Sequence, residues 1–225
     1  MAIDHKKENV RLTVHLLIVV LLWGLMFAPF SPVTGSFWYL MTASAILLSS
    51  LALTSSDVGH RFVDLFKKDP LRQIGLSVVI AAVLYGVFVL GDYVARLLFG
   101  FAAEGIDSIY SLRSQASPTM IAIVLICIIG PAEEIFWRGY IQQTLCKRFS
   151  RSGEETLRAR LLAFVVATAI YTLIHIWSGN IMLILAAMVA GGLWGLLYAL
   201  KPEWFPAILI SHALWDACAF VFFPI

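Results

Sequence analysis

The chain has 225 residues, 60% of them hydrophobic and only 13% charged, with a formal net charge of +2 and a mean hydropathy of +0.88. Soluble domains carry about 25% charged residues, so this composition excludes a water-soluble fold and predicts an all-α, polytopic integral membrane protein. The small charge, carried by Lys and Arg in connecting segments, excludes a nucleic-acid-binding face.

Apolar runs bounded by charge or Pro/Gly predict about seven spans, each long enough for a bilayer crossing of ~20 residues. They are Leu12 to Phe30, Ser36 to Leu53, Ile74 to Phe99, Thr119 to Phe149, Leu161 to Trp177, Ile181 to Leu200 and Trp204 to Phe223. One membrane domain then occupies residues 1–225. The first run is too long for a signal peptide and lacks a small-residue cleavage site, so it is expected as an uncleaved helix. Lys6, Lys7 and Arg11, then Arg61, Lys67, Lys68 and Arg72, then Lys147, Arg148, Arg151, Arg158 and Arg160, then Lys201 all fall on one side, with Arg113 the clear exception. The positive-inside rule predicts a cytoplasmic N-terminus and an outer C-terminus. A bacterial cytoplasmic membrane is the expected location.

The connection Gly100 to Pro118 mixes apolar and polar residues and is expected to form a short interfacial helix or a lid. In the sixth span Ala187, Gly191 and Gly195 recur every four residues, a stripe that admits a close neighbouring helix. Cys127, Cys146 and Cys218 are odd in number and lack metal-site spacing, so they are expected as packing residues. No internal repeat supports a transporter built from two halves.

Ionisable groups inside apolar spans are costly, at ~2.5–3.5 kcal/mol each on insertion scales, and mark function by default. They gather in three helices: Gly130-Pro131-Ala132-Glu133-Glu134-Ile135-Phe136-Trp137-Arg138, Tyr171-Thr172-Leu173-Ile174-His175, and His212-Ala213-Leu214-Trp215-Asp216. Glu134 and Arg138 are spaced i, i+4 for an intrahelical ion pair. Glu133 points about 100° away, without a partner in its own helix, and is the candidate general base. His212 and Asp216 also stand i, i+4, so the carboxylate can fix the imidazole tautomer. Two histidines and carboxylates from three helices suit water activation with oxyanion stabilisation or direct metal ligation, and spacing does not choose between them. Asp92 and Arg96 form another i, i+4 pair, expected to be structural. His5, His15 and His60 have no assigned role.

Glu133-Glu134-xxx-Arg138, then Tyr171-xxx-His175, then His212-xxx-Asp216, on successive spans, resemble the CAAX protease and bacteriocin-processing family of intramembrane peptidases. The stretch Gly191 to Asp216, a Gly-rich helix, a short turn and Trp-x-Pro before the histidine, is similar to that family too. The resemblance covers residues 121–222. It implies an intramembrane endopeptidase acting on a membrane-associated protein or peptide, in contact with the lipid bilayer. Glu133 and His175 would hold the attacking water, Glu134 and Arg138 would fix the geometry, and His212 with Asp216 would serve the oxyanion. Two departures stand out. Tyr171 occupies a position that is often Phe, and Asp216 one that is often Asn, so Asp216 is expected to orient His212 as the donor. The resemblance is compatible with a metal-free glutamate mechanism, which we favour, or with zinc held by Glu133, His175 and His212. The hydrophobic cavity it implies would open to lipid or to the cytoplasmic side. A transporter or proton relay, or a non-catalytic immunity-type protein, could use the same groups.

Helix lengths raise one conflict. Glu133 lies about 21 Å from the outer start of its helix, and His175 about 21 Å from the inner start of its own, at about 1.5 Å per residue. Those depths do not coincide in flush, upright helices, so one helix must project, tilt or begin late.

Overall fold

The computed structural model describes residues 5–28, 34–150 and 154–225. Seven helices are long and apolar enough to cross a membrane: Lys7–Phe27, Phe37–Ser55, Pro70–Leu98, Pro118–Phe149, Leu157–Ser178, Ile181–Leu200 and Pro202–Phe222. The predicted end of the first span at Phe30 and the basic residue Arg151 lie outside the described residues, as do the side chains of His5 and Lys6. Among the described residues there is no strand. The fold is all-helical, as composition requires.

Side-chain caps set several boundaries. Asp69 accepts a hydrogen bond from the Arg72 amide and Pro70 occupies the first turn, so the third span starts four residues before the expected Ile74. Ser117 caps Pro118 in the same way. Thr156 caps the fifth span ahead of the expected Leu161, and the Asn180 side chain accepts from the amides of Met182 and Leu183 at the sixth. Gly179, at φ 60°, makes the left-handed turn that separates the fifth and sixth spans. Cap residues lie outside the apolar runs, which is why hydropathy alone misses the first turn.

Two shorter helices join the bundle. Val58–Lys68 falls in the basic segment between the second and third spans and was not expected. It follows from an apolar stripe that buries Val58 and places Phe62 and Leu65 against Phe205 and its neighbours. Ala102–Ser111 realises the expected helix in the 100–118 connection. Asn180 ties it down by donating to the Gly105 carbonyl at 2.7 Å, and Ala102 and Ile106 pack with Ala95 and Met182.

The fourth span is, with the seventh, the most deeply buried, and it has an irregular interior. Its residues Leu125–Ile129 and Ile135–Gln142 are π-helical, with one α-helical turn, Gly130–Glu134, between them. Pro131 has no amide hydrogen to donate, and the Gly130 amide reaches back to the Leu125 carbonyl, a five-residue step that widens the helix. Gly130 also lets the seventh span approach: a Cβ there would lie 2.8 Å from the Ala213 Cα. The small-residue stripe of the sixth span does the same for the fifth. A Cβ at Gly191 would meet the Tyr171 ring at 2.6 Å, and one at Gly195 would meet Phe164 at 3.0 Å.

The depth conflict disappears in this packing. The fourth span has 32 residues, about 48 Å at about 1.5 Å per residue, against a hydrocarbon core of about 30 Å. It is longer than each of the other spans, so a depth counted from its Pro118 end does not transfer to them. Glu133 sits near its middle, level with Tyr171.

Of the cysteines, Cys146 is buried, Cys218 is half-buried and Cys127 is exposed. Cys127 is therefore not a core residue; it occupies the outward face of the fourth span.

Replacing Gly130 by valine should lower stability in detergent by about 1–3 kcal/mol through overpacking, read as a drop in the thermal unfolding midpoint. Valine at Gly86, where a Cβ meets no heavy atom within 4 Å, should have little effect.

Candidate active site

The six residues singled out from sequence come from three spans, the fourth, fifth and seventh, and fall into two sets. In the first, Arg138 Nη1 donates to Glu134 Oε1 at 2.8 Å, the i, i+4 pair expected from spacing. Arg138 Nη2 donates to the Gly191 carbonyl at 3.0 Å. His212 Nδ1 lies 2.8 Å from the same Glu134 oxygen. Glu134 is fully buried and the side chains of Arg138 and His212 nearly so. The seventh span is thus tied to the fourth through one carboxylate oxygen. Glu134 Oε2 has no hydrogen-bond partner among the described residues.

Sequence spacing pairs His212 with Asp216, and the structure corrects the emphasis. Asp216 Oδ2 stands 3.4 Å from His212 Nε2, a looser contact than the Glu134 bond. Glu134, expected with Arg138 to fix the geometry, makes the shorter contact to the imidazole, at 2.8 Å. Trp194 stacks on the His212 ring with centroids 3.8 Å apart, and its indole nitrogen donates to Ser211 Oγ at 3.1 Å.

The second set surrounds Tyr171. Its hydroxyl donates to Glu133 Oε2 at 2.9 Å, and its carbonyl receives His175 Nδ1 at 2.7 Å. A carbonyl can only accept, so Nδ1 carries the proton and Nε2 keeps its lone pair. Trp23, from the first span, donates to that Nε2 at 3.3 Å, and Phe27 packs on the same ring at 5.8 Å. His175 lies on a 3-10 turn, Ile174–Ser178, that ends the fifth span.

Sequence reasoning missed Trp23, Trp194 and the acceptor role of Gly191. Tryptophans in apolar runs carry no local signal that separates packing from hydrogen bonding. A glycine stripe indicates close approach but not which carbonyl a distant arginine will find.

Glu133, Tyr171, His175, His212 and Asp216 line one cavity of about 500 Å³. The rest of its wall is mainly apolar, from the second, third and sixth spans and the Ala102–Ser111 helix. Glu134 and Arg138 stay behind this surface. The pair Asp92–Arg96, at 2.7 Å, lies toward the mouth and is partly exposed, as a structural pair would be.

The zinc alternative fits this arrangement poorly. Both His212 nitrogens face carboxylates, both His175 nitrogens have partners, and among the described residues no three His, Cys, Asp or Glu side chains come together as ligands. His15, which had no assigned role, is buried against Tyr140 with ring centroids 5.4 Å apart and stands apart from these sets.

A family model described as type II CAAX prenyl endopeptidase Rce1-like matches residues 114–218, the stretch that contains all six residues. Neither a curated protein sequence nor a solved structure matches the chain.

Arg138→Met should unfold the bundle at milder conditions, because it leaves Glu134 buried without its counter-charge; such losses run to about 3–5 kcal/mol. Thermal unfolding of the purified protein checks this, and Arg138→Lys, which restores charge but not the two-pronged reach to Gly191, should recover only part of the stability.

Proposed function

With residues 114–218 belonging to the Rce1-like, type II CAAX prenyl endopeptidase family, we propose that this integral membrane protein is an intramembrane endopeptidase that hydrolyses a peptide bond of a membrane-associated protein or peptide by glutamate-activated water. The family is one of proteases, and seven helices long and apolar enough to cross a membrane support a reaction within a bilayer. The observation that carries the reading is a cavity lined by Glu133, His175 and His212, groups from three helices in a mainly apolar wall.

In the proposed reaction Glu133 Oε1 accepts a hydrogen bond from water while Oε2 is held by Tyr171. The His175 Nε2 lone pair exchanges its long 3.3 Å bond from Trp23 for a hydrogen bond from the same water. The water oxygen attacks the carbonyl carbon and Glu133 takes the proton. Negative charge then develops on the carbonyl oxygen, and His212 Nε2–H, loosely held by Asp216, turns its hydrogen bond to it. Collapse of the tetrahedral intermediate breaks the C–N bond, and Glu133 returns the proton to the leaving nitrogen. Glu134 and Arg138 touch no reacting atom; they hold His212 in place. No step passes through a metal.

Tyr171 has a part that a phenylalanine there would lack. A hydrogen bond to a charged group contributes about 1.5–3 kcal/mol, so the hydroxyl restrains the base in one orientation at the cavity wall.

Glu133→Gln should lower turnover by about 10²- to 10⁴-fold with substrate binding retained, as read by mass spectrometry of peptides in membranes carrying wild-type or variant protein. Equal product in both would exclude Glu133 as the base. Tyr171→Phe should lower kcat by roughly 10- to 100-fold with KM unchanged, the kinetic equivalent of the lost hydrogen bond. Dialysis against a chelator should leave hydrolysis unchanged; loss of activity restored by zinc would overturn the metal-free mechanism.

A further inference from the structure

Past its last helical residue, Phe222, the seventh span is followed by a short segment held by groups that the peptidase reading leaves unused. The Phe223 amide still donates to the Cys218 carbonyl at 2.7 Å. Phe223 itself stands at φ −137° and ψ 68°, and residues 223–225 are non-helical. Pro224 has no amide hydrogen, so the groups that need partners beside an apolar bundle are the carbonyls and the Ile225 amide. Two tyrosines from different elements supply them. Tyr85, on the third span, donates its hydroxyl hydrogen to the Phe223 carbonyl at 3.0 Å. Tyr110, on the Ala102–Ser111 helix, accepts from the Ile225 amide at 3.1 Å and donates to the Ala219 carbonyl at 2.8 Å. Burial pushes the Tyr110 hydroxyl above its ordinary range, so it keeps the proton it donates. The Phe222 and Phe223 side chains remain exposed; the segment is held by its backbone.

Ile225 and Tyr110 line the same cavity as Glu133, His175 and His212. The seventh span connects the two places. Its residues His212, Asp216, Ala219 and Phe220 all lie on the cavity wall, spaced i, i+4, i+7 and i+8 along one helix face, and Phe220 stacks on the Tyr110 ring with centroids 5.4 Å apart. From His212 to Phe220 the rise is about 12 Å at about 1.5 Å per residue, a length that about four extended residues cover. The two hydroxyls therefore meet a carbonyl and an amide two residues further on, at a distance from His212 that one peptide can bridge. Neither contact involves a side chain of the held segment, so the pair recognises peptide backbone.

We propose that Tyr85 and Tyr110 form a clamp for the peptide backbone of a substrate at one end of the cavity, and that residues 223–225 occupy this clamp until a substrate segment displaces them. This rests on the peptidase reading of the same cavity. A tethered segment meets its site at an effective concentration on the order of mM. It therefore turns away loosely held peptides and yields to those that gain further contacts deeper in the cavity.

The test uses the protein in nanodiscs and a synthetic heptapeptide, Ala-Phe-Val-Phe-Phe-Pro-Ile, which repeats residues 219–225 and carries a photoreactive benzoyl group on the ring that matches Phe223. A chain stopped after Phe222 frees the clamp and should capture about tenfold more peptide than the chain with residues 223–225 in place, through the effective concentration of the tethered segment. Crosslinks are expected on the third span around Tyr85 and on the Ala102–Ser111 helix. In the shortened chain Tyr85→Phe and Tyr110→Phe should each lower capture about fivefold, the equivalent of one hydrogen bond. Tyr93→Phe, at an exposed tyrosine of the same span, should leave capture unchanged. Thermal unfolding of each variant separates lost binding from lost folding, and Tyr85→Phe, which removes a single exposed bond, keeps the test decisive if Tyr110→Phe unfolds. Equal capture by the two chain lengths, or undiminished capture by the folded phenylalanine variants, would overturn the proposal. Hydrolysis is read in the same samples: capture that depends on both tyrosines, with no Glu133-dependent cleavage of longer peptides carrying this segment, would count against the peptidase reading and leave the clamp standing.

Discussion

One carboxylate oxygen, Glu134 Oε1, receives both the Arg138 guanidinium and the His212 imidazole inside the bundle. Burying three ionisable groups is costly unless each is matched, and in a bilayer the penalty for an unmatched charge is larger still. The cluster constrains the helices around it. Arg138 also holds the Gly191 carbonyl, so the fourth, sixth and seventh spans meet at one point. Such a cluster contributes less to net stability than to a unique register: sliding any of the three helices by one residue would strand a charge.

The irregular fourth span is the structural counterpart of that constraint. Its π-helical stretches flank the single turn that holds Glu133 and Glu134. One glutamate faces the ion cluster and the other faces the cavity. Neighbouring residues on a helix point about 100° apart, so consecutive glutamates serve two compartments without a break in the backbone. The close approaches at Gly130 and Gly191 allow the seventh and fifth spans to supply His212 and Tyr171 at the right depth.

The cavity wall follows from the same division. Charges that stabilise each other are withdrawn behind it, and the groups left on it are free or weakly held: Glu133 Oε1, His175 Nε2, which accepts from Trp23 at 3.3 Å, and the loosely held His212 Nε2. Apolar residues of the third and sixth spans exclude bulk water from the rest, which strengthens each polar interaction inside. The Ala102–Ser111 helix, in the connection expected to form an interfacial helix or a lid, contacts both spans and lines part of this space.

The sequence alone determined the all-helical membrane class, the seven spans and the identity of the polar groups, because hydropathy over ~20 residues and i, i+4 spacing are local properties. It identified the Glu134–Arg138 pair, which lies within one helix, and the small-residue stripe of the sixth span. The tertiary structure decided which helix each group answers to. His212 is oriented by Glu134 more closely than by its own-helix neighbour Asp216, Tyr171 holds Glu133, and Trp23 from the distant first span reaches His175. It also resolved the conflict of depth between Glu133 and His175, since a helix longer than its neighbours has no fixed depth until packing sets its register. Cross-helix hydrogen bonds are set by the rotation and depth of whole helices, and those are properties of the packed bundle that no single span encodes.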